Sequence, residues 1–129
     1  MKRFLAMACM AMVAVSVQAG DYEDISVADL EKAIEAGSVT VLDVNGKSSF
    51  KKGHIPGAVN FAAVEDLSKV LPEDKNALIV AYCGGPRCGA YKSGAKAATK
   101  LGYKNVKHLS AGKSGWKKAG KAFVTAKKD

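Results

Sequence analysis

Two cysteines, Cys83 and Cys88, lie in the stretch YCGGPRCG, which follows the apolar run ALIVAY and precedes the run AYKSGAKAATKL. Cysteine does chemistry as its thiolate, and the free side chain has a pKa near roughly 8.5. A strand ending at Tyr82 and a helix beginning at Gly89 would leave Cys83 in a loop that feeds a helix N-terminus. Unpaired N–H groups and the helix dipole favour a negative charge there. Gly84, Gly85 and Gly89 let the backbone curl, and a curled run of N–H groups makes a nest for anions. Pro86 removes one donor from that nest. Arg87 and Lys92 supply positive charge nearby. The predicted site is therefore an ionised Cys83 sulfur, with Gly84, Gly85, Arg87, Cys88, Gly89 and Lys92 as binding residues for an anionic substrate. The competing reading is a cysteine buried in a tight turn, a common place for this residue.

The flanking sequence says what must hold this loop. Ser26 with Asp29 resembles a helix start, Val27, Leu30, Ala33 and Ile34 recur at helical spacing, and Gly37 fits the position past the helix end. Val39 to Val44, VTVLDV, is almost wholly apolar, as in a strand covered on both faces. Asn45 to Gly53 reads as a polar loop, and HIPGAVNF as a turn and a short strand. Ala62 to Leu71 reads as a helix closed by Pro72. Ala77 to Tyr82 is a second buried strand, Gly89 to Leu101 a helix, Asn105 to Leu109 a third strand, and Trp116 to Lys121 a last short helix. Strands alternating with helical runs predict an α/β fold: a mostly parallel sheet with helices on both faces. Ligand crevices of such sheets open beyond the carboxyl ends of the strands, and the loops after Val44 and Tyr82 leave there.

The first nineteen residues read as a leader rather than as part of this domain. Lys2 and Arg3 precede an apolar run from Phe4 to Val17, and Val17-Gln18-Ala19 offers small residues for cleavage after Ala19. The run is short for a permanent span. The expectation is a signal peptide at 1–19, a domain at 20–129, and a periplasmic or secreted mature chain without a permanent membrane span. Removing nineteen residues from 129 leaves 110, and losing Lys2 and Arg3 takes the net charge from +8 to +6. Removing Cys9 leaves only the Cys83/Cys88 pair, so no disulfide framework is expected. The lysines are dispersed and aromatics are few, which favours a solvated basic surface that attracts small anions over a nucleic-acid interface. The Lys-rich end, Lys127 to Asp129, is expected to fray.

Several motifs together resemble the rhodanese family of sulfurtransferases, single-domain type. Asp43-Val44 stands where that family has D-V-R, Gly53-His54-Ile55-Pro56-Gly57-Ala58 reproduces its G-H-I-P-G-A, and Tyr82-Cys83 ends the cysteine-bearing strand. Gly102-Tyr103, Val106, Gly112 and Trp116 match its later landmarks. The likeness runs from about Ile25 to Gly120. There are departures: Asn45 replaces the family's arginine, and the loop reads Arg87-Cys88-Gly89, an atypical C-G-G-P-R-C form. Phosphatases on the same fold need Cys-x5-Arg, and that arginine position falls on Gly89 here.

The resemblance implies a thiosulfate-sulfurtransferase-like enzyme. Cys83 would take sulfane sulfur from thiosulfate or a persulfide and pass it, as a Cys83 persulfide, to cyanide or a thiol, with no metal or organic cofactor. Loop amides would stabilise the anionic sulfur. His54 and Asp43 are expected to fasten loops and backbone rather than to transfer protons, His108 to pack or face solvent, and Trp116 to sit in the core. Two readings of Cys88 stay open: a thiol that resolves the Cys83 persulfide, forming a Cys83–Cys88 disulfide and releasing sulfide, or a plain replacement of the usual loop residue. Alternatives of other classes are a thiol–disulfide oxidoreductase using Cys83 and Cys88, a metal-binding module, and a non-catalytic rhodanese-like binding module. The sequence carries no signal for an oligomeric state.

Overall fold

The computed structural model describes residues 22–125. The leader expected at 1–19, with Cys9, and the end of the Lys-rich tail lie outside the described residues. Five strands form one all-parallel sheet: β1 (Glu23–Asp24), β2 (Val39–Asp43), β3 (Val59–Asn60), β4 (Leu78–Tyr82) and β5 (Asn105–His108), in the order β1-β5-β4-β2-β3. The helices are α1 (Val27–Ala36), α2 (Lys47–Lys52), α3 (Tyr91–Lys100) and α4 (Gly112–Lys118).

Alternation along β4 divides the core between the two faces. Val80 and Tyr82 join one cluster with Leu30 of α1, Val41, Ile55, Leu109 and Trp116 of α4. Ile79, Ala81 and Cys83 join the other with Leu42, Tyr91, Ala95 and Ala98. Successive strand side chains point to opposite faces, so both faces need a helical cover. Helix α1 starts and stops as its sequence predicts: the Ser26 hydroxyl accepts from the Asp29 N–H at 3.0 Å, and Gly37 ends the helix at φ 70°.

Three expectations need correction. Helix α2 occupies most of what reads as a polar loop. Its one apolar residue, Phe50, packs on the first cluster, and Lys51 and Lys52 in its last turn suit the negative end of the helix dipole. The helix expected over 62–71 is instead two 3₁₀ turns, Phe61–Ala63 and Leu67–Lys69. Val64 is extended between them, and the Asp66 carboxylate accepts from the Ser68 N–H and hydroxyl at 3.1 and 2.6 Å, a local bond that competes with a continuous helix. Helix α4 begins at Gly112, four residues before the expected Trp116. Sequence reading also missed β1, whose two exposed residues carry no strand pattern.

The chain leaves β2 toward β3 on one side and returns to β4 on the other, which makes the β2/β4 boundary a topological switch point. Val44, Asn45 and Cys83 follow the carboxyl ends of these two strands.

Candidate active site

Parity decides where Cys83 points. It continues β4 one residue past Tyr82, so its side chain turns to the α3 face beside Leu42 and Tyr91, and the residue is only 1% exposed. Its sulfur is bonded to that of half-buried Cys88. The thiolate expected at Cys83 is therefore not the form in this structure, which holds the oxidised pair. The loop that permits the bond is short and folded back. Pro86 and Arg87 form the exposed apex of a turn closed by the Cys88 N–H donating to the Gly85 carbonyl at 3.1 Å. Proline at the second turn position has its φ preset for this geometry. The turn brings the two Cα atoms to 6.3 Å, inside the range a disulfide requires.

Among the described residues, the N–H groups of Gly84, Gly85, Arg87 and Gly89 make no backbone hydrogen bond. In this oxidised form none of the four bonds to the Cys83 sulfur. The loop carbonyls are used instead: those of Cys83 and Gly84 accept from the N–H groups of Lys113 and Ser114, at 2.9 and 3.0 Å. The first turn of α4 thus pins the loop from the side opposite α3. This closeness depends on Gly112, at φ 63°, where a Cβ would stand 2.5 Å from the Gly85 nitrogen and 2.8 Å from the Cys83 oxygen. Gly84, Gly85 and Gly89 do not have positive φ, so the special backbone lies in the clamp rather than in the loop.

Beneath the loop lies a buried polar network. The Tyr82 hydroxyl donates to Asp43 Oδ2 at 2.5 Å and accepts from the Ile55 N–H at 3.0 Å. Asp43 Oδ1 accepts from the Asn45 N–H and Nδ2 at 2.8 and 2.9 Å. Burial first, then the bond to Asp43, raises the Tyr82 phenol far above its ordinary pKa, so it remains a donor. Asp43 thus ties the Asn45 backbone to the end of β2. Tyr82→Phe is expected to leave the buried Ile55 N–H and Asp43 Oδ2 unpaired and to cost about 2–4 kcal/mol, read as a lower urea midpoint at unchanged slope.

His54 is also a fastener. Its backbone exchanges two 2.9 Å bonds with Val124, Nδ1 bonds the Phe50 carbonyl at 2.9 Å, and its ring stacks on Phe50 at 3.6 Å. His108 packs flat on Tyr91 at 3.3 Å, with Nε2 buried and unbonded, and burial lowers its pKa. Trp116 is in the core, its Nε1 donating to the Ala122 carbonyl at 2.9 Å.

Arg87, Gly89 and Lys92 are exposed. A basic surface that sequence reading missed borders Gly84: a shallow, open cleft of about 360 Å³ lined by Lys52, Gly53, Gly84, Lys113, Ser114, Lys117 and Phe123. No acidic residue lines it. Lys113 is held in place there, its Nζ donating to the Ser49 hydroxyl at 2.9 Å and lying 5.7 Å from the Phe123 ring centroid.

Residues 26–119 match the rhodanese-like domain family. The chain belongs to that family. Among proteins similar to this rhodanese-like domain, the HTH-type transcriptional regulator Rv0324 of Mycobacterium tuberculosis is 33% identical over 114 residues, covering 88% of this chain and 50% of the relative. The chain thus spans about half the length of that curated relative. The crystal structure of the BH2092 protein from Bacillus halodurans superposes with a TM-score of 0.68 at 29% identity, over 81% of this chain and 77% of the other. Thiosulfate sulfurtransferase from Pseudomonas aeruginosa shares the fold, with a TM-score of 0.65 at 20% identity over 95% of this chain and 25% of that one. The structural relatives of this rhodanese-like domain thus include a sulfurtransferase.

Proposed function

We propose that this chain, once Cys83 and Cys88 are reduced, transfers sulfane sulfur from a small anionic donor such as thiosulfate to a thiophilic acceptor through a Cys83 persulfide. The observation that carries the reading is the position of Cys83. It directly follows β4 at the topological switch point, at the start of a loop whose Gly84, Gly85, Arg87 and Gly89 amides have no backbone partners. Freed from Cys88, the Cys83 thiolate displaces sulfite from thiosulfate and keeps the outer sulfur as a persulfide anion. Loop amides are the donors available to that charge, and one well-aimed donor of this kind is worth about 2.7–4 kcal/mol. Arg87 and Lys92 then act from solvent, while Lys52, Lys113 and Lys117 gather the dianion at the cleft beside Gly84.

The test is thiocyanate formation from thiosulfate and cyanide. Reduced protein is expected to turn over and protein kept oxidised is not, because a disulfide sulfur carries no lone thiolate to attack. Reduced protein that makes no more thiocyanate than buffer rules the reading out. Lys52→Ala combined with Lys117→Ala is expected to raise KM for thiosulfate about 3–10-fold at low ionic strength with kcat unchanged, the gap closing as salt screens the cleft.

The disulfide itself favours a second reading, a thiol–disulfide oxidoreductase working through the same pair. Insulin reduction by the reduced protein, without thiocyanate formation, would select it. An oxidising compartment, which the leader-like first nineteen residues would supply, suits either reading.

A further inference from the structure

We infer that Cys88 is a second reacting thiol, which discharges the Cys83 persulfide as free sulfide and leaves the Cys83–Cys88 disulfide seen here. The inference rests on the persulfide reading above and adds an activity to it: reduction of sulfane sulfur at the expense of the loop dithiol.

Placement is the first argument. The Gly85–Cys88 turn returns the chain over Cys83, and the Cα separation of 6.3 Å allows direct bonding of the two sulfurs without moving β4 or α3. Cys83 and Cys88 both pack against the cluster beneath α3, so the second thiol approaches from within the loop rather than from solvent. Competition is the second argument. Cys88 is held in the same short loop within bonding reach of Cys83 Sγ and needs no encounter, whereas an external thiol must first diffuse to the site and bind.

The chemistry balances. In the first step the Cys83 thiolate bonds the outer sulfur of thiosulfate, the S–S bond of thiosulfate breaks, and sulfite leaves with the electron pair. In the second step Cys88 Sγ, giving up its proton, attacks Cys83 Sγ. The Cys83–sulfane bond breaks, and the outer sulfur departs as hydrosulfide carrying that proton. Two thiols are oxidised to one disulfide, and the sulfane sulfur is reduced by two electrons to sulfide. A dithiol reductant then restores both thiols by exchange, itself becoming a disulfide, and the loop is ready again.

The experiment is a single turnover. The full mature chain is reduced with dithiothreitol, freed of reductant under anaerobic conditions, and given thiosulfate without cyanide. Sulfide, free thiols and intact mass are then measured. Wild type is expected to release about one sulfide per chain, to lose both loop thiols and to retain no added sulfur. Cys88→Ser is expected to hold one added sulfur on the Cys83 peptide and release none, and Cys83→Ser to do neither. Wild type that keeps the sulfur as a persulfide, with Cys88 still free to alkylation, overturns the inference while leaving sulfur transfer intact. No sulfide from wild type together with no added sulfur on Cys88→Ser overturns the transfer reading, and this inference with it. Should Cys88→Ser not fold, the wild-type measurement decides alone: sulfide release without loss of the two thiols is incompatible with the step.

Discussion

Cys83→Ser is expected to abolish thiocyanate production, by about 10³-fold or more, because a hydroxyl at this position has neither the acidity nor the nucleophilicity of the thiol it replaces. The informative comparison is with Cys88→Ser. Both substitutions remove the same cross-link, which closes a loop of sequence separation 5 and is worth about 2 kcal/mol for so short a ring. Cys83→Ser adds a hydroxyl within the apolar cluster of Leu42, Tyr91 and Ala95, at a further cost of about 1–3 kcal/mol. Stability alone therefore separates the variants modestly. Activity separates them completely: with cyanide present, Cys88→Ser keeps its transfer, since the persulfide on Cys83 has lost its internal competitor. Thiocyanate turnover under reducing conditions reads activity, and urea unfolding of samples kept oxidised reads stability. Equal loss of turnover in the two variants would mean that the dithiol, not a Cys83 persulfide, is the working unit, and would favour the oxidoreductase.

What the sequence made legible follows from how local its signals are. The Ser26 cap, the Gly37 stop and the buried strands 39–43 and 78–82 were readable because each depends on neighbours within a few positions. The bonds that Asp43 and His54 make, to the Asn45 N–H and to the Phe50 carbonyl, are local ones of the kind that a strand-end carboxylate and a G-H-I-P-G-A turn suggest. Helix α2 was hidden because KSSFKK offers one apolar residue, too few to show a period. The stretch 62–71 has a helical composition, yet Asp66 spends its carboxylate on Ser68 and breaks the run. The basic cleft was invisible for a different reason: Lys52 comes from α2 and Lys113 and Lys117 from α4, and only the tertiary fold brings them to Gly84. In sequence they look like ordinary solvated lysines. The Cys83–Cys88 bond lay between these cases, since the spacing permitted it but only the turn at Pro86-Arg87 decided it.

Gly112 is the position where one methyl group should do most damage away from the sulfur. Gly112→Ala forces a side chain into positive φ at about 1–2 kcal/mol. It also drives a Cβ to 2.5 Å from the Gly85 nitrogen, 2.7 Å from the Gly84 carbonyl carbon and 2.8 Å from the Cys83 oxygen. All three are backbone atoms that cannot rotate away, and overpacking of this kind adds about 1–3 kcal/mol. The expected loss is about 2–5 kcal/mol. Relief can come only by pushing the 83–85 backbone off the first turn of α4, which breaks the Lys113 and Ser114 bonds to the loop carbonyls. A shift near 1 Å at a nucleophile costs about 10²-fold in rate, so turnover should fall by that order even at temperatures where the variant stays folded. Gly57→Ala and Gly120→Ala supply the control, because both glycines have positive φ, 83° and 79°, but a Cβ there meets nothing within 4 Å. They should show the backbone cost alone and full activity. Should Gly112→Ala lose no more stability or turnover than those two, the α4 clamp does not position Cys83, and the loop must be held by the turn and α3 instead.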